Sequence, residues 1–69
     1  MIKFELKNEY IELFKLIKVL YLVDSGAQAK LLISEGVVLR NGEVETRKRA
    51  KIIKGEIISI GDDVTIEVV

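Results

Sequence analysis

With 69 residues, the chain has room for one domain over residues 1–69, and so small a core excludes a second domain or a deep active-site cleft. Hydrophobic residues make up 49% and charged residues 32% of the sequence, which indicates a globular fold and excludes a disordered chain. Cysteine and histidine are absent, so the chain has no disulfides and lacks both the commonest transition-metal ligands and the usual general base at neutral pH. The formal net charge is zero.

The first third of the chain changes from the periodicity of a strand to that of a helix. Residues 2–6 alternate apolar and charged side chains, which predicts a half-buried strand. A helix is predicted over about residues 11–21, because apolar side chains there recur at the spacing of one helical face. These side chains are Leu13, Leu16, Ile17 and Leu20.

A second helix is predicted to begin at Ser25 and to run to about residue 35. Its start matches a capping box, in which the Ser25 hydroxyl accepts a hydrogen bond from the amide of Gln28 and the Gln28 side chain reaches back. Gly36 supplies the left-handed residue that commonly ends a helix. Leu31 points away from the apolar face, either as a peripheral core contact or as an exposed apolar spot. The apolar face itself consists of Ala29, Leu32 and Ile33.

The second half of the chain is predicted to form strands. Residues 37–40 and 43–46 flank Asn41-Gly42, the dipeptide that best tolerates the two positive φ angles of a type I′ hairpin turn. Residues 56–60 and 64–69 predict two further strands, joined by a turn at residues 61–63. The predicted order is therefore strand, helix, helix and then strands.

The zero net charge hides a local excess of positive charge. Residues 40–54 carry six basic and two acidic side chains, a balance of +4, so the remainder of the chain carries −4. Most of the excess lies in residues 47–51, Arg-Lys-Arg-Ala-Lys, which we call the basic segment. It is either a solvated loop or a phosphate-binding surface. The start of the second helix favours phosphate binding, since its free amides suit an anion and Lys30 lies on its exposed side.

The combination of these motifs resembles a known family. Residues 25–36, SGAQAKLLISEG, followed by VVLRNG at residues 37–42, resemble the S4 RNA-binding domain. The continuation EVETRKRAK at residues 43–51, and then Lys54-Gly55, resembles the small stand-alone bacterial S4-domain proteins. The resemblance spans residues 13–58, which is most of the chain.

The resemblance implies an α+β fold with an αL motif, in which two antiparallel helices pack on a small, mostly antiparallel sheet of about four to five strands. It also implies a structured RNA as partner, with ribosomal RNA or the ribosome as the first candidate, and no cofactor. The RNA would lie on a face formed by the second-helix start, the hairpin and the following loop. Carried over to this sequence, the RNA-binding residues are Ser25, Lys30, Arg40, Arg47, Lys48, Arg49 and Lys51.

Two positions that depart from the family pattern, and the placement of the aromatic residues, affect the expected binding. Many S4 domains have arginine where this chain has Gly26 and Leu31, so the resemblance implies weaker RNA binding, or binding centred more on the hairpin and the basic segment. All four aromatic residues precede the second helix, so no ring lies in the basic segment to stack on bases. We therefore expect recognition of RNA through its backbone and shape.

Other classes of function remain as alternatives. A small protein-interaction adaptor could use Leu31 or the acidic first third of the chain. An enzyme would depend on carboxylates such as Asp62 and Asp63, but adjacent residues of a hairpin turn are poorly placed to act as a pair, so we expect no enzyme. The longest apolar run, residues 19–23, is too short for a bilayer, and we expect a cytoplasmic monomer.

Overall fold

The computed structural model describes residues 1–69 as two helices and seven strands. In chain order the elements are β1 (Ile2–Phe4), β2 (Ile11–Glu12), α1 (Leu13–Val19), α2 (Gly26–Ser34), β3 (Val38–Arg40), β4 (Glu43–Val44), β5 (Lys51–Ile52), β6 (Ile57–Ile60) and β7 (Val64–Val68). Neither helix has the length and apolar character needed to span a membrane.

Five strands form one sheet in the order β1-β7-β6-β3-β4. The pairs β3–β4, β3–β6 and β6–β7 are antiparallel, whereas β1 pairs with β7 in parallel. The β3–β4 hairpin turns through Asn41 and Gly42, whose φ angles of 51° and 86° are both positive, as the type I′ prediction requires. The expected α+β fold with a mostly antiparallel sheet is thus confirmed.

The core lies between the two helices and one face of this sheet. Most of the predicted helix-face residues are fully buried, namely Leu13, Leu16 and Ile17 of α1 and Ala29 and Ile33 of α2. The other two, Leu20 just after α1 and Leu32 in α2, are partly buried against the same core. Sheet residues complete the cluster on the other side. They include Val38, Ile58, Ile66 and Val68.

A second, two-stranded sheet was not anticipated from the sequence. Residues 11 and 12, expected to open the first helix, are extended and pair with β5, so Ile11 lies opposite Ile52 and Glu12 opposite Lys51. Helix α1, Leu13–Val19, therefore begins two residues later than predicted, and it also ends two residues earlier. The pairing fastens the end of the basic segment to the residues that precede α1.

Helix α1 ends in a Schellman motif with an unusual residue at its left-handed position. The Leu22 amide donates to the Ile17 carbonyl (3.4 Å) and the Tyr21 amide to the Lys18 carbonyl (3.0 Å). Tyr21 has a φ of 59°, in the region that glycine normally occupies at this position. A non-glycine residue there costs about 1–2 kcal/mol of conformational energy.

Candidate nucleic-acid interface

The start of α2 is capped and free of acidic side chains in its first turn. The Ser25 hydroxyl accepts a hydrogen bond from the Gln28 amide at 3.2 Å, as the capping box predicts. The Gln28 side chain reaches back one residue further than predicted, because its Oε1 accepts from the amide of Asp24 at 2.7 Å. The remaining amides of the first turn carry the positive end of the helix dipole, which favours an anion at this position.

Three cationic side chains from separate parts of the chain gather around the ring of Phe14. Lys30 Nζ lies 4.7 Å from the ring centroid, Arg49 Cζ 5.5 Å and Lys15 Nζ 5.9 Å. We call these three residues and the ring the Phe14 cluster. Phe14 is only 9% exposed and belongs to the hydrophobic core, so the cations lie beside a ring that is largely buried.

The Phe14 cluster adjoins the start of α2. A Cβ atom built on Gly26 would lie 3.6 Å from Phe14 Cε2 and 3.9 Å from Lys18 Cδ. The first residue of α2 therefore lies against the ring and against the stem of another lysine. The cationic groups and the helix N-terminus form one surface.

The basic segment is held against α1 by its backbone and by a carboxylate. The Leu13 amide donates to the Ala50 carbonyl (2.9 Å) and the Phe14 amide to the Lys48 carbonyl (3.0 Å). Glu12 lies 3.2 Å from Lys15 Nζ and 3.5 Å from Arg49 Nη1. Because Glu12 neutralises one of the three charges, the cluster and this carboxylate together keep a net charge of +2.

Arg40 is the centre of an ion network that joins the hairpin to β5 and to Glu56, the residue before β6. It forms a bidentate pair with Glu56, at 2.7 and 3.1 Å, and also donates to Glu45 (3.3 Å) and to the Lys51 carbonyl (2.9 Å). Four of its five N–H donors are thus engaged within the protein. Its hydrogen bond with Glu56, above all, raises the pKa of Arg40. Burial alone would raise the pKa of Glu56, but the bonds that it accepts from Arg40 and from the Ile53 amide lower it overall.

Glu45 links this network to the basic segment. It is 7% exposed and accepts both side-chain and backbone hydrogen bonds from Arg47, at distances of 2.9 to 3.1 Å. The Arg47 side-chain bond, more than any other interaction, lowers the pKa of Glu45 to about 2. The side chain of Arg47 remains 73% exposed, so Glu45 fixes its direction and leaves much of it accessible to solvent.

The structure brings most of the predicted RNA-binding residues to one side of the molecule. Their side chains differ in how many contacts they already make within the protein. Ser25, Lys30 and Arg49 lie at the α2 start and in the Phe14 cluster, as described above. Lys48 is exposed, and Lys51 Nζ lies 5.0 Å from the ring of Tyr10. The direct contact predicted for Arg40 stays a prediction, and its engaged donors favour a supporting role.

Sequence reasoning missed the contribution of α1 to this surface. Lys15 and Lys18 lie outside the apolar stripe that predicts α1, and nothing in the sequence gives Phe14 a role at this surface. No local signal distinguishes these lysines from those of an ordinary solvated helix face. Their proximity to Gly26 and Arg49 arises from the packing of α1 against α2 and against the basic segment.

The concave features of this surface are shallow. One depression is lined by Ala50 and four basic residues, which are Arg40, Arg47, Arg49 and Lys51. Asp62 and Asp63 are exposed in the β6–β7 turn, away from that depression. No group of three or more acidic side chains lies close enough together to hold a metal ion.

The fold and this surface define a small α+β domain with a cluster of basic side chains next to a helix N-terminus. The family model of the S4 domain matches residues 4–69, and the chain belongs to that family.

Two relatives and one solved structure place the chain more closely within the family. YbcJ of Escherichia coli strain K12 and YbcJ of Shigella flexneri are each 49% identical to it over 53 residues, covering 77% of this chain and 76% of theirs. The solution structure of YbcJ from E. coli superposes with a TM-score of 0.70 at 45% identity, over 97% of this chain and 87% of that one. That structure is described as revealing an αL motif involved in RNA binding. The resemblance to the S4 domain and to its αL motif is confirmed.

Proposed function

We propose that this protein is a non-catalytic RNA-binding protein that contacts structured RNA through the α2 start, the Phe14 cluster and the basic segment. The observation that carries the proposal is the convergence of Lys15, Lys30 and Arg49 on one ring beside a capped helix N-terminus. Cations and helix amides together suit phosphate oxygens. Membership of the S4 family and the RNA-binding αL motif described for YbcJ support the same assignment.

Structured RNA fits this surface better than a splayed single strand. The basic segment contains no aromatic side chain, and the ring of Phe14 is too deeply buried to stack on a base. Contacts to phosphates along a folded backbone would therefore supply most of the affinity. We propose ribosomal RNA as the first candidate ligand and the cytoplasm as the location, with the protein acting as a monomer.

The decisive experiment measures RNA binding as a function of salt. A labelled RNA hairpin is titrated with protein at several KCl concentrations. If the cations of this surface contact phosphates, the logarithm of the affinity falls against the logarithm of salt with a slope of about −3 to −4. We expect Lys48→Ala combined with Arg49→Ala to weaken binding and to reduce the magnitude of the slope by about 1–2.

A matched control removes the same charge elsewhere. Lys3 lies in β1, paired with Glu67 at 3.9 Å, and Lys7 follows that strand, so Lys3→Ala with Lys7→Ala should leave the slope nearly unchanged. If the two double variants lost RNA affinity equally, binding would depend on the net charge of the protein and not on this surface. A flat salt dependence of the wild-type protein would refute the proposed surface altogether.

A protein-interaction adaptor remains the second candidate because Leu31 is 62% exposed on α2. Such a contact would be apolar and would depend little on salt. Affinity purification with wild-type protein and with a Leu31→Gln variant tests it. A partner that is lost with Leu31→Gln and retained with the Lys48 and Arg49 double variant would favour the adaptor.

A further inference from the structure

Tyr21 combines an unfavourable backbone conformation with an almost fully exposed side chain. Its φ is 59° and its exposed fraction is 92%, the highest among the exposed large hydrophobic residues. A bulky residue with positive φ is an outlier that needs a reason. Burial of the ring does not provide one here.

The rest of the molecule gives no structural reason for the ring either. The Tyr21 backbone closes the Schellman motif, but glycine forms the same hydrogen bonds without conformational cost. Its side chain makes no hydrogen bond within the protein, and its ring is not among the two, those of Phe14 and Tyr10, that have a cation over them. The ring thus adds nothing to the fold that a smaller residue would lack.

Tyr21 lies at the end of α1 that adjoins the proposed RNA surface. Its amide is bonded to the carbonyl of Lys18, and the stem of Lys18 lies against Gly26 at the start of α2. Tyr21 and Ser25 are four positions apart in the chain, and four Cα–Cα steps span at most about 14 Å. A base only a few nucleotides from a phosphate held at the start of α2 is within reach of the ring.

We propose that Tyr21 is an RNA contact that stacks on an unpaired base at the edge of the phosphate-binding surface. This inference rests on the proposed function and adds to it a preference for structured RNA that carries a bulged or looped-out nucleotide. A tyrosine ring stacks on any base, because each base has a π face. The left-handed backbone turns the ring out into solvent, where such a base can reach it.

The test compares two RNA hairpins, one fully paired in its stem and one with a single bulged adenine in the same stem. Wild-type protein is expected to bind the bulged hairpin more tightly. Tyr21→Gly removes the ring at a position that glycine tolerates well, and should lose about 5- to 150-fold in affinity for the bulged hairpin. Its affinity for the paired hairpin should change by less than about twofold. Tyr21→Phe keeps the ring and should keep the preference.

The ratio of the two affinities is the decisive quantity, since a partial loss of folded protein affects both hairpins equally. With 2-aminopurine at the bulge, stacking on Tyr21 should quench the fluorescence of that base in wild type and Tyr21→Phe but not in Tyr21→Gly.

The outcomes separate this inference from the proposed function. If wild-type protein binds both hairpins with the expected salt slope but Tyr21→Gly retains the bulge preference and the quenching, the stacking role is overturned and the phosphate surface stands. The ring would then serve another partner, such as a protein. If wild-type protein binds neither hairpin, both proposals fail.

Discussion

Replacing Glu45 by glutamine tests whether the ion network stabilises the fold as the geometry indicates. The substitution keeps the size of the side chain and an oxygen that can still accept from the Arg47 amide, but removes the negative charge between Arg40 and Arg47. Arg40 keeps its bidentate partner Glu56, and Arg47 remains solvated, so no buried cation is left unpaired. The loss therefore combines the charge of Glu45 with the two hydrogen bonds that one of its oxygens accepts from Arg40 and Arg47, since the NH2 group of glutamine cannot accept them.

The size of the effect follows from the pKa of Glu45. A shift from 4.5 to about 2 corresponds to about 3 kcal/mol of stabilisation of the ionised form. Because Arg47 is 73% exposed and water screens its charge, we expect only about 1–2 kcal/mol in the free energy of unfolding at pH 7. For a domain of this size the melting temperature should fall by about 5–15 °C.

The pH dependence has a definite sign. The folded-state pKa of Glu45 lies below the unfolded value, so its contribution is complete above about pH 5 and is lost as the pH falls toward 2. The stability difference between wild type and Glu45→Gln should therefore shrink over that range. The Glu56 carboxylate, whose pKa is also lowered, loses its contribution in the same direction, but it does so in both proteins.

Urea denaturation followed by circular dichroism at pH values from 7 to 2 measures this difference. Glu43→Gln is the matched control, because Glu43 is an exposed glutamate of the same hairpin, two positions before Glu45. The reasoning is refuted if Glu45→Gln is as stable as Glu43→Gln at pH 7, or if its deficit persists unchanged at pH 2.

Three further changes test the local structure by the same denaturation assay. Ser25→Ala removes the N-cap acceptor of α2 and should cost about 1 kcal/mol, whereas an unchanged midpoint would contradict the cap's contribution. Gly42→Ala places a side chain at a φ of 86° and should lower the free energy of unfolding by about 1–2 kcal/mol. Gly26→Ala is the control, because its new methyl group meets only ordinary van der Waals contacts and should not destabilise the protein. An equal loss of stability in the two variants would contradict this account. Arg40→Gln leaves the Glu56 carboxylate without its bidentate partner and should lower the free energy of unfolding by about 2–4 kcal/mol at pH 7. The loss should be smaller at low pH, where Glu56 becomes protonated. A loss of stability that does not depend on pH would argue against the ion pair.

The local elements were predictable because their signals depend on near neighbours in the chain. The apolar spacing of Leu13, Leu16 and Ile17 defines one face of a helix wherever that helix packs. Ser25 and Asn41-Gly42 act within a few residues, as a cap and as a turn. The resemblance to the S4 domain rested on the order and spacing of such local motifs, which explains why it also identified the fold.

The candidate site was only partly predictable. The basic segment and the start of α2 stand out in the sequence through charge and capping. Nothing local indicates that Phe14 would gather cations from residues 15, 30 and 49, or that Glu12 would pair with Arg49. The sequence also does not distinguish the roles of Glu43 and Glu45 in the hairpin. Glu43 is exposed, whereas Glu45 is buried and pairs with Arg40 and Arg47.

By itself, the sequence determined the helices, the hairpin and the excess of positive charge, because periodicity, capping and turn conformation are short-range properties. The tertiary structure decided which of the charges are available to a ligand. It engages Arg40 in ion pairs, leaves Arg47 exposed, and joins β2 to β5 so that the basic segment lies against α1. These outcomes depend on contacts between residues distant in the chain, since the energy of a charge is set by the partners and the water that packing brings to it.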